Sequence, residues 1–212
     1  MNNYDKNSIK TLSPRESIRE SIGMYIGGSD SNGRHQLFTE AIANSIDEAV
    51  AGYGKVITVD INTSSNQLSR QDCGRGVPFG INKEGKDAIV EATCNLHGGG
   101  KFVGQEGYKS SLGLHGLGLK CIHYLSSKFH IRSCRNKEGV CDLSFDENDK
   151  QSGPTVVKKA ATSGTLVEFI PDQRIFGPLK WNKDVIADRR QTYALLNNNI
   201  TFVLTVNGVK YK

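Results

Sequence analysis

The chain has 212 residues, of which 37% are hydrophobic and 23% charged, and its formal net charge is +5. This composition is ordinary for a soluble globular protein of one large domain or two small ones, and it argues against low complexity. The positive charge includes no dense run of lysine and arginine, which argues against nucleic-acid binding by this segment alone. The five cysteines include no Cys-x-x-Cys pair, so neither a disulfide framework nor a zinc site is indicated. With no signal peptide and no long apolar run, we expect a cytoplasmic protein without a membrane partner.

The first predicted elements are a polar arm and a short helix. Residues 1–12 are polar apart from the isolated Tyr4 and Ile9, so we expect the arm to be ordered only when it docks on a partner. The motif at residues 13–16, Ser-Pro-Arg-Glu, has serine at the cap, proline at the first helical position and glutamate three residues after the cap. This pattern predicts a helix start. The helix is expected to end near Gly23, where a glycine-rich stretch leads into a loop.

The next helix is predicted at residues 34–51 and has two different faces. Its apolar stripe consists of Phe38, Ile42, Ile46 and Ala49, which recur at helical spacing. The opposite side carries Glu40, Asn44 and Asp47. On an isolated helix that side would be a solvated face, but small neighbouring residues and the glycine-rich loops that follow favour a binding role. A carboxylate and a carboxamide one turn apart suit a base that activates water and a ligand for magnesium.

The rest of the chain consists mostly of predicted strands. A hairpin is predicted at 56–71, short helices at 87–95 and 116–126, and a glycine-rich lid at 98–114. Further strands are predicted at 128–135, 139–145, 154–160, 164–170 and 200–206, with a helix at 182–196. Helices early and antiparallel strands late indicate a single α+β domain of two layers, with helices on one side of a sheet.

Three loops combine glycines with polar residues. They are residues 72–76 (Asp-Cys-Gly-Arg-Gly), 96–101 (Leu-His-Gly-Gly-Gly-Lys) and 113–118 (Gly-Leu-His-Gly-Leu-Gly). Backbone N–H groups in such loops can approach a phosphate closely because no Cβ is in the way. Taken alone, Asp72 is also compatible with an ordinary turn aspartate.

Six motifs follow one another along the chain. They are Gly-Met-Tyr-Ile-Gly at 23–27, Glu-Ala-Ile-Ala-Asn-Ser-Ile-Asp-Glu-Ala at 40–49, Asp-Cys-Gly-Arg-Gly-Val-Pro at 72–78, His-Gly-Gly-Gly-Lys-Phe at 97–102, the stretch from Tyr-Lys to Gly-Leu-His-Gly-Leu-Gly at 108–118, and Ser-Gly-Thr at 163–165. In this order they resemble the ATPase domain of the type IIA topoisomerases, DNA gyrase B and its topoisomerase IV counterpart, within the GHKL family. The resemblance covers nearly the whole chain. It implies the GHKL (Bergerat) ATPase fold, a two-layer α/β sandwich whose mixed, largely antiparallel sheet is covered by helices on one face, with ATP and Mg²⁺ as cofactors.

The resemblance implies roles for individual residues. Glu40 would be the general base that activates water against the γ-phosphate, and Asn44 would be the magnesium ligand. Asp72 would accept a hydrogen bond from the exocyclic amine of adenine, with Thr165 beside it and Gly76 allowing the backbone to approach the base. The residues implied to bind ATP are Asn44, Glu48, Asp72, Arg75, Gly76, Pro78, Lys101, Tyr108, Leu114, His115, Gly116, Leu117, Gly118 and Thr165.

The resemblance also implies how the chain is divided and what it binds. Residues 1–12 would be an N-terminal dimerisation arm, and residues 13–212 the GHKL ATP-binding domain with a lid at 98–118. Arg75 and Pro78 would form a wall of the base pocket, while the lid clamps the phosphates. We expect a homodimer through the arm when nucleotide is bound, and a gyrase A-type subunit and DNA as partners of the full-length enzyme.

Three positions depart from the family pattern, namely Ile22, Ala43 and Cys73. Ala43 stands where an aspartate is usual, which leaves Glu40 with one acidic neighbour fewer. In the family, a second subdomain supplies a lysine to the γ-phosphate, and this sequence ends before that subdomain. We therefore expect the sequence to be a fragment of a longer subunit, without the transducer and later domains. Two functions stay open: an ATPase module that drives DNA strand passage, or a nucleotide-operated dimerisation clamp with little or no hydrolysis.

Overall fold

The computed structural model describes residues 11–96, 116–160, 162–178 and 180–211. Within them, the helices are Pro14–Glu20 (α1), Ile22–Ile26 (α2), Ser31–Val50 (α3), Ala88–Cys94 (α4), Gly118–Tyr124 (α5), Gln173–Phe176 (α6) and Lys183–Leu196 (α7). The strands are Val56–Asn62 (β1), Gln67–Asp72 (β2), Ser126–Arg135 (β3), Gly139–Phe145 (β4), Gln151–Val157 (β5), Gly164–Pro171 (β6), Thr201–Val206 (β7) and Val209–Tyr211 (β8).

The strands form one sheet in the order β5-β4-β3-β6-β2-β1-β7-β8. Neighbouring strands are antiparallel except β1 and β7, which run parallel. The predicted mixed, largely antiparallel sheet is therefore confirmed. In the middle of the sheet, β2 and β6 pair with Gln71 opposite Leu166. This register brings Asp72, at the end of β2, beside Thr165, at the start of β6.

Helix α3 is the centre of the helical layer. Its predicted apolar stripe is buried, and Phe38, Ile42, Ile46 and Ala49 are each at most 4% exposed. Inward-facing strand residues such as Ile57 belong to the same core, at alternate positions as the period of a strand requires. The other side of α3 faces α5 and the loop after β2. The sandwich of one sheet and one helical layer is thus confirmed.

The predicted start of α1 is confirmed in detail. The Ser13 hydroxyl accepts a hydrogen bond from the Glu16 backbone N–H, and the Ser13 backbone N–H donates to Glu16 Oε2 at 2.8 Å. These two bonds satisfy donors that a helix start otherwise leaves without a partner. All five cysteines are free. In the described part of the chain, no helix has the length and apolar character needed to cross a membrane.

Two segments that the sequence assigns to loops are helical. Residues 23–26 form most of α2, and Gly27 ends this short helix in a left-handed conformation with φ +83°. Helix α3 begins at Ser31 rather than residue 34. The reason is that the Asp30 carboxylate accepts a hydrogen bond from the Gly33 N–H at 2.9 Å and caps the helix there.

Two further differences lie in the second half of the chain. Strand β5 is Gln151–Val157, whereas the sequence predicted 154–160, because the prediction began the strand at Pro154. As the edge strand of the sheet, β5 accommodates a proline, whose missing N–H is not needed for pairing on the open side. The unpredicted α6 follows β6 directly and is capped by Asp172, whose carboxylate accepts from the Arg174 N–H at 3.0 Å.

Candidate functional site

One face of α3 carries the polar residues predicted for the site. Glu40, Asn44 and Glu48 follow one another at intervals of four residues and are half-buried. Asp47, which the sequence also assigned to this polar side, is only 2% exposed. The face is therefore not the solvated side of a surface helix, and its side chains contact other elements of the fold.

The Glu40 carboxylate lies beside the start of α5. Gln36, one turn earlier on α3, donates a hydrogen bond from Nε2 to Glu40 Oε1 at 3.0 Å. Gly118 packs so closely that a Cβ built on it would lie 2.7 Å from Glu40 Oε2. A residue without a side chain is needed at this position to leave the carboxylate in place.

The Asn44 side chain is oriented by its own helix. Its amide nitrogen donates to the Glu40 backbone carbonyl at 3.1 Å. With the nitrogen committed to the helix, the amide oxygen is the atom suited to a cation, and a neutral oxygen is a ligand type that Mg²⁺ accepts. The Glu40 carboxylate one turn earlier adds the negative charge that a divalent ion favours. Asn44 and Glu40 are therefore residue types that can bind magnesium, and they lie one turn apart on the same helix.

The Asp72 carboxylate lies at the end of β2 and is 6% exposed. Its Oδ1 accepts hydrogen bonds from the backbone N–H of Gly74 at 2.9 Å and of Thr165 at 3.1 Å. Its Oδ2 accepts from the Ser45 hydroxyl at 2.9 Å and pairs with the Arg70 guanidinium. Asp72 is thus more than a turn residue, because it ties the end of β2 to both α3 and β6.

Arg70 and Ser45 were not predicted for the site. Arg70 is 1% exposed, and its guanidinium also donates to the Thr165 carbonyl at 3.4 Å. Burial lowers the pKa of Arg70, and the neighbouring Asp72 carboxylate opposes that shift. The sequence does carry a signal, since Arg70 alternates in phase with Leu68 and Asp72 and so faces inward on β2.

An ion pair connects the loop after β2 to α3. The Glu48 carboxylate accepts from the Arg75 backbone N–H at 3.0 Å, and its Oε1 pairs with the Arg75 guanidinium at 2.9 Å. The guanidinium also lies 4.1 Å from the centroid of the Tyr53 ring, a cation–π contact. Glu48 and Arg75 therefore bind each other and hold the loop after β2 against α3.

Gly76 and Pro78 are in the same loop, next to β3. Gly76 has φ +81°, and a Cβ on it would lie 2.4 Å from the Cys134 carbonyl oxygen, so only glycine fits. The Gly76 carbonyl accepts from the Arg135 guanidinium at 2.9 Å. The Pro78 ring is exposed, next to Val77. This loop therefore approaches β3 closely, while Pro78 faces solvent.

Of the predicted lid, only its last residues are described. Gly116, Leu117 and Gly118 precede or begin α5 and are half-buried. The Lys120 ammonium donates to the Gly116 carbonyl, and burial lowers the pKa of Lys120 to about 8. The other residues predicted to clamp phosphates, Lys101, Tyr108, Leu114 and His115, lie outside the described residues, as do Tyr4 and Ile9 of the arm.

An open groove of about 560 Å³ lies elsewhere, on the outward-facing side of the sheet. His130 in this groove is held between two carboxylates, 3.0 Å from Glu168 Oε2 and 2.9 Å from Asp142 Oδ1. Among the described residues that line it, none was implied to bind ATP. The groove is therefore separate from the candidate site.

Comparison with known proteins gives the family. Residues 29–174 match the model of the histidine kinase-, DNA gyrase B-, and HSP90-like ATPases. The chain is also similar to the B subunit of DNA topoisomerase 4 from Staphylococcus aureus strain MW2 and to its namesake from strain N315, with 40% identity over 205 residues in each case. The alignment covers 96% of this chain but 30% of each relative, so the chain spans about a third of their length. The resemblance seen in the six motifs is confirmed, and the chain belongs to the family of histidine kinase-, DNA gyrase B- and HSP90-like ATPases.

Proposed function

We propose that this chain is the ATP-binding and hydrolysing module of a type IIA DNA topoisomerase in which ATP–Mg²⁺ binding drives dimerisation and DNA strand passage. One observation carries this proposal: α3 contacts both halves of the candidate site. Its Ser45 binds Asp72 at the end of β2, its Glu48 binds the loop that follows, and its Glu40 lies against Gly118. A nucleotide could therefore lie along a single helix, with its base beside Asp72 and its phosphates beside Glu40 and Asn44.

The base and the phosphates of the nucleotide contact different groups of residues in this proposal. At the base end, Asp72 accepts a hydrogen bond from the exocyclic amine, while Thr165 and Gly76 border the pocket. The Glu48–Arg75 pair and Pro78 form its wall. At the phosphate end, Asn44 holds Mg²⁺ through its amide oxygen, and Gly116, Leu117 and Gly118 approach the phosphates. Lys101, Tyr108, Leu114 and His115 complete the clamp in the proposal.

Hydrolysis in this scheme is assigned to Glu40. Its carboxylate takes a proton from the water that attacks the γ-phosphate, and the hydrogen bond from Gln36 keeps it oriented. Bound Mg²⁺ supplies positive charge to the phosphate oxygens. A clamp that binds but does not hydrolyse is the less favoured reading, because the chain belongs to an ATPase family and Glu40 lies on the same face as Asn44.

The base contact is tested by replacing Asp72 with asparagine. Asparagine is preferred to alanine, because its amide oxygen can still accept a hydrogen bond from the buried Arg70 guanidinium, which truncation would leave without an acceptor. Loss of a charge-assisted hydrogen bond should weaken binding of a non-hydrolysable ATP analogue by about tenfold or more in calorimetry. Asp60→Asn on β1 is the matched control, since Asp60 is exposed. Equal affinity of wild type, Asp72→Asn and Asp60→Asn would exclude this site.

The proposal extends to assembly. In the cytoplasm, two copies of the protein would close on ATP through the arm at residues 1–12, and a gyrase A-type subunit would bring the DNA. Sedimentation of the chain with and without a non-hydrolysable analogue tests the first step. We expect a shift towards dimer that requires the analogue and disappears when the arm is deleted. Dimerisation that is unaffected by deleting the arm would contradict this role.

A further inference from the structure

Helix α5 carries a buried lysine next to the loop that approaches the phosphates in the proposed function. Lys120 is 1% exposed, and its ammonium donates a hydrogen bond to the Gly116 carbonyl one turn earlier. Burying an ammonium costs free energy, because the charged group loses its hydration. An apolar side chain would fill this position without that cost, so packing alone does not account for a lysine here.

The surroundings of Lys120 disfavour its charge. Burial lowers its pKa to about 8, and this effect is larger than the opposing effects of Cys121 on α5 and of Cys94 and Glu91 on α4. The Glu91 carboxylate also lies 3.8 Å from the ammonium of Lys86. At neutral pH the Lys120 ammonium is therefore largely charged but poorly compensated, and an additional anion nearby would stabilise it.

The hydrogen bond from Lys120 orients one peptide group of the loop. The Gly116 carbonyl and the Leu117 N–H belong to the same planar, trans peptide, so they point in opposite directions. Gly116 has φ +60°, outside the range of a right-handed helix, so regular helix geometry does not fix this peptide. A charge-assisted hydrogen bond to the carbonyl therefore helps to hold the Leu117 N–H in one direction, and it polarises that N–H as a donor.

The charge of Lys120 also matters at this end of the site. The Glu40 carboxylate lies against Gly118, two residues before Lys120 on α5. Its negative charge repels the phosphates of a nucleotide bound beside it. Charges interact strongly over several ångströms where water is excluded, so a buried ammonium nearby offsets part of this repulsion.

We propose that Lys120 is a positioning residue for the phosphates, because its ammonium holds the Gly116–Leu117 peptide with its N–H towards them and offsets the charge of Glu40. The inference rests on the proposed function. Lys120 acts through the Gly116 carbonyl and through its charge, so it does not need to touch the nucleotide. By linkage, binding of the polyanion favours the charged ammonium and raises its pKa, so affinity depends on the protonation of Lys120.

The test is calorimetric titration with a non-hydrolysable ATP analogue in Mg²⁺, from about pH 7 to about pH 9.5. The charge on Lys120 is present below about pH 8 and is lost above it, so wild-type affinity should fall about tenfold over this range. Lys120→Met should bind about tenfold more weakly at pH 7 and lack this fall. Lys120→Arg stays charged throughout, so it should keep the wild-type affinity of pH 7 and also lack the fall. Titration of the analogue itself is common to all three proteins and cancels in the comparison.

A control and a stability measurement separate positioning from a structural role. Lys128→Met removes an exposed lysine on β3 and should follow the wild-type pH profile. A purely structural role of Lys120 would lower the melting temperature of its variants but leave their pH profile like that of wild type. If Lys120→Met does not fold, the wild-type and Lys120→Arg profiles decide. The same fall in both, or undiminished binding by Lys120→Met at pH 7, would overturn the inference. If wild type binds no analogue at any pH, the proposed function itself fails.

Discussion

Replacing Gly118 with alanine is expected to slow ATP hydrolysis while leaving the fold and nucleotide affinity nearly unchanged. A Cβ at this position would lie 2.7 Å from Glu40 Oε2 and 3.3 Å from Glu40 Cβ. The carboxylate is the far end of a flexible side chain, so it is the group that moves. To reach ordinary contact at 3.4 Å, Oε2 must retreat by about 0.7 Å from its place beside α5.

The size of the effect follows from this displacement. A shift of about 1 Å in a reacting group can cost about a hundredfold in rate, so kcat should fall by about 10- to 100-fold. Unfolding free energy should change by no more than about 1 kcal/mol, because alanine is the better helix former and offsets the local crowding. Binding should be retained, since the added Cβ is directed at the Glu40 side chain and the backbone N–H of residue 118 is unaltered.

The assay measures kcat, together with the dissociation constant of a non-hydrolysable ATP analogue and the melting temperature. Gly23→Ala is the matched control, because Gly23 is also helical and a Cβ there has no heavy atom within 4 Å. Glu40→Gln gives the kcat expected when the general base is lost completely. If Gly118→Ala hydrolyses ATP as fast as Gly23→Ala, the Glu40 carboxylate at this position does not perform the proton transfer.

Further predictions concern pH, backbone fit and capping. Burial acts to lower the pKa of His123, but hydrogen bonds with Asp149 and with a neighbouring thiol outweigh it, and the net pKa lies above 6.5. This pair should therefore stabilise the fold fully below about pH 6.5 and lose its effect as pH rises through the raised pKa. Asp149→Ala should flatten that part of a plot of melting temperature against pH, and an unchanged plot would contradict the assignment. Gly76→Ala should unfold at a lower denaturant concentration and bind ATP more weakly, because its Cβ would lie 2.4 Å from the Cys134 carbonyl oxygen. If the variant matches wild type in both denaturant titration and ATP affinity, the geometry of this loop is wrong. Ser13→Ala should lower the free energy of unfolding by about 1 kcal/mol in denaturant titration, and no loss would mean that the capping box contributes nothing.

The parts of the fold that follow from periodicity were predictable. The stripe from Phe38 to Ala49 fixes which side of α3 is buried, and strand alternation fixes the inner face of the sheet. Both patterns reflect the burial of apolar surface, and the positions of apolar residues can be read from the sequence alone. The placement of Glu40 and Asn44 on one face needs only the helical period.

Boundaries set by single turns were harder to predict. Gly27 and Asp30 lie in a stretch rich in loop-forming residues, yet one ends α2 and the other caps α3. Such residues favour loops and helix ends alike, so their neighbours decide the outcome. The start of β5 was predicted wrongly at Pro154 for a similar reason. A proline is tolerated inside an edge strand, and whether β5 is an edge strand depends on the strand order, which is a tertiary property.

The contacts within the site were the least predictable. Its motif predicts Asp72 as a site residue, but the ion pair of Asp72 with Arg70 depends on how β1, β2 and β6 lie side by side. Likewise, the pairing of Glu48 with Arg75 joins residues that were each expected to contact the nucleotide separately. A buried charge selects its partner in three dimensions, and residue spacing along the chain does not encode that choice.

The central claim is that the Glu40–Asn44 face of α3 binds the phosphates of ATP together with magnesium. Calorimetric titration of the chain with a non-hydrolysable ATP analogue, in Mg²⁺ and in excess chelator, tests it most directly when wild type and Asn44→Ala are compared. We predict that wild type binds markedly tighter in Mg²⁺ than in chelator, and that Asn44→Ala loses the binding seen in Mg²⁺. Equal affinity of wild type in the two conditions, or undiminished binding by Asn44→Ala in Mg²⁺, would contradict the account.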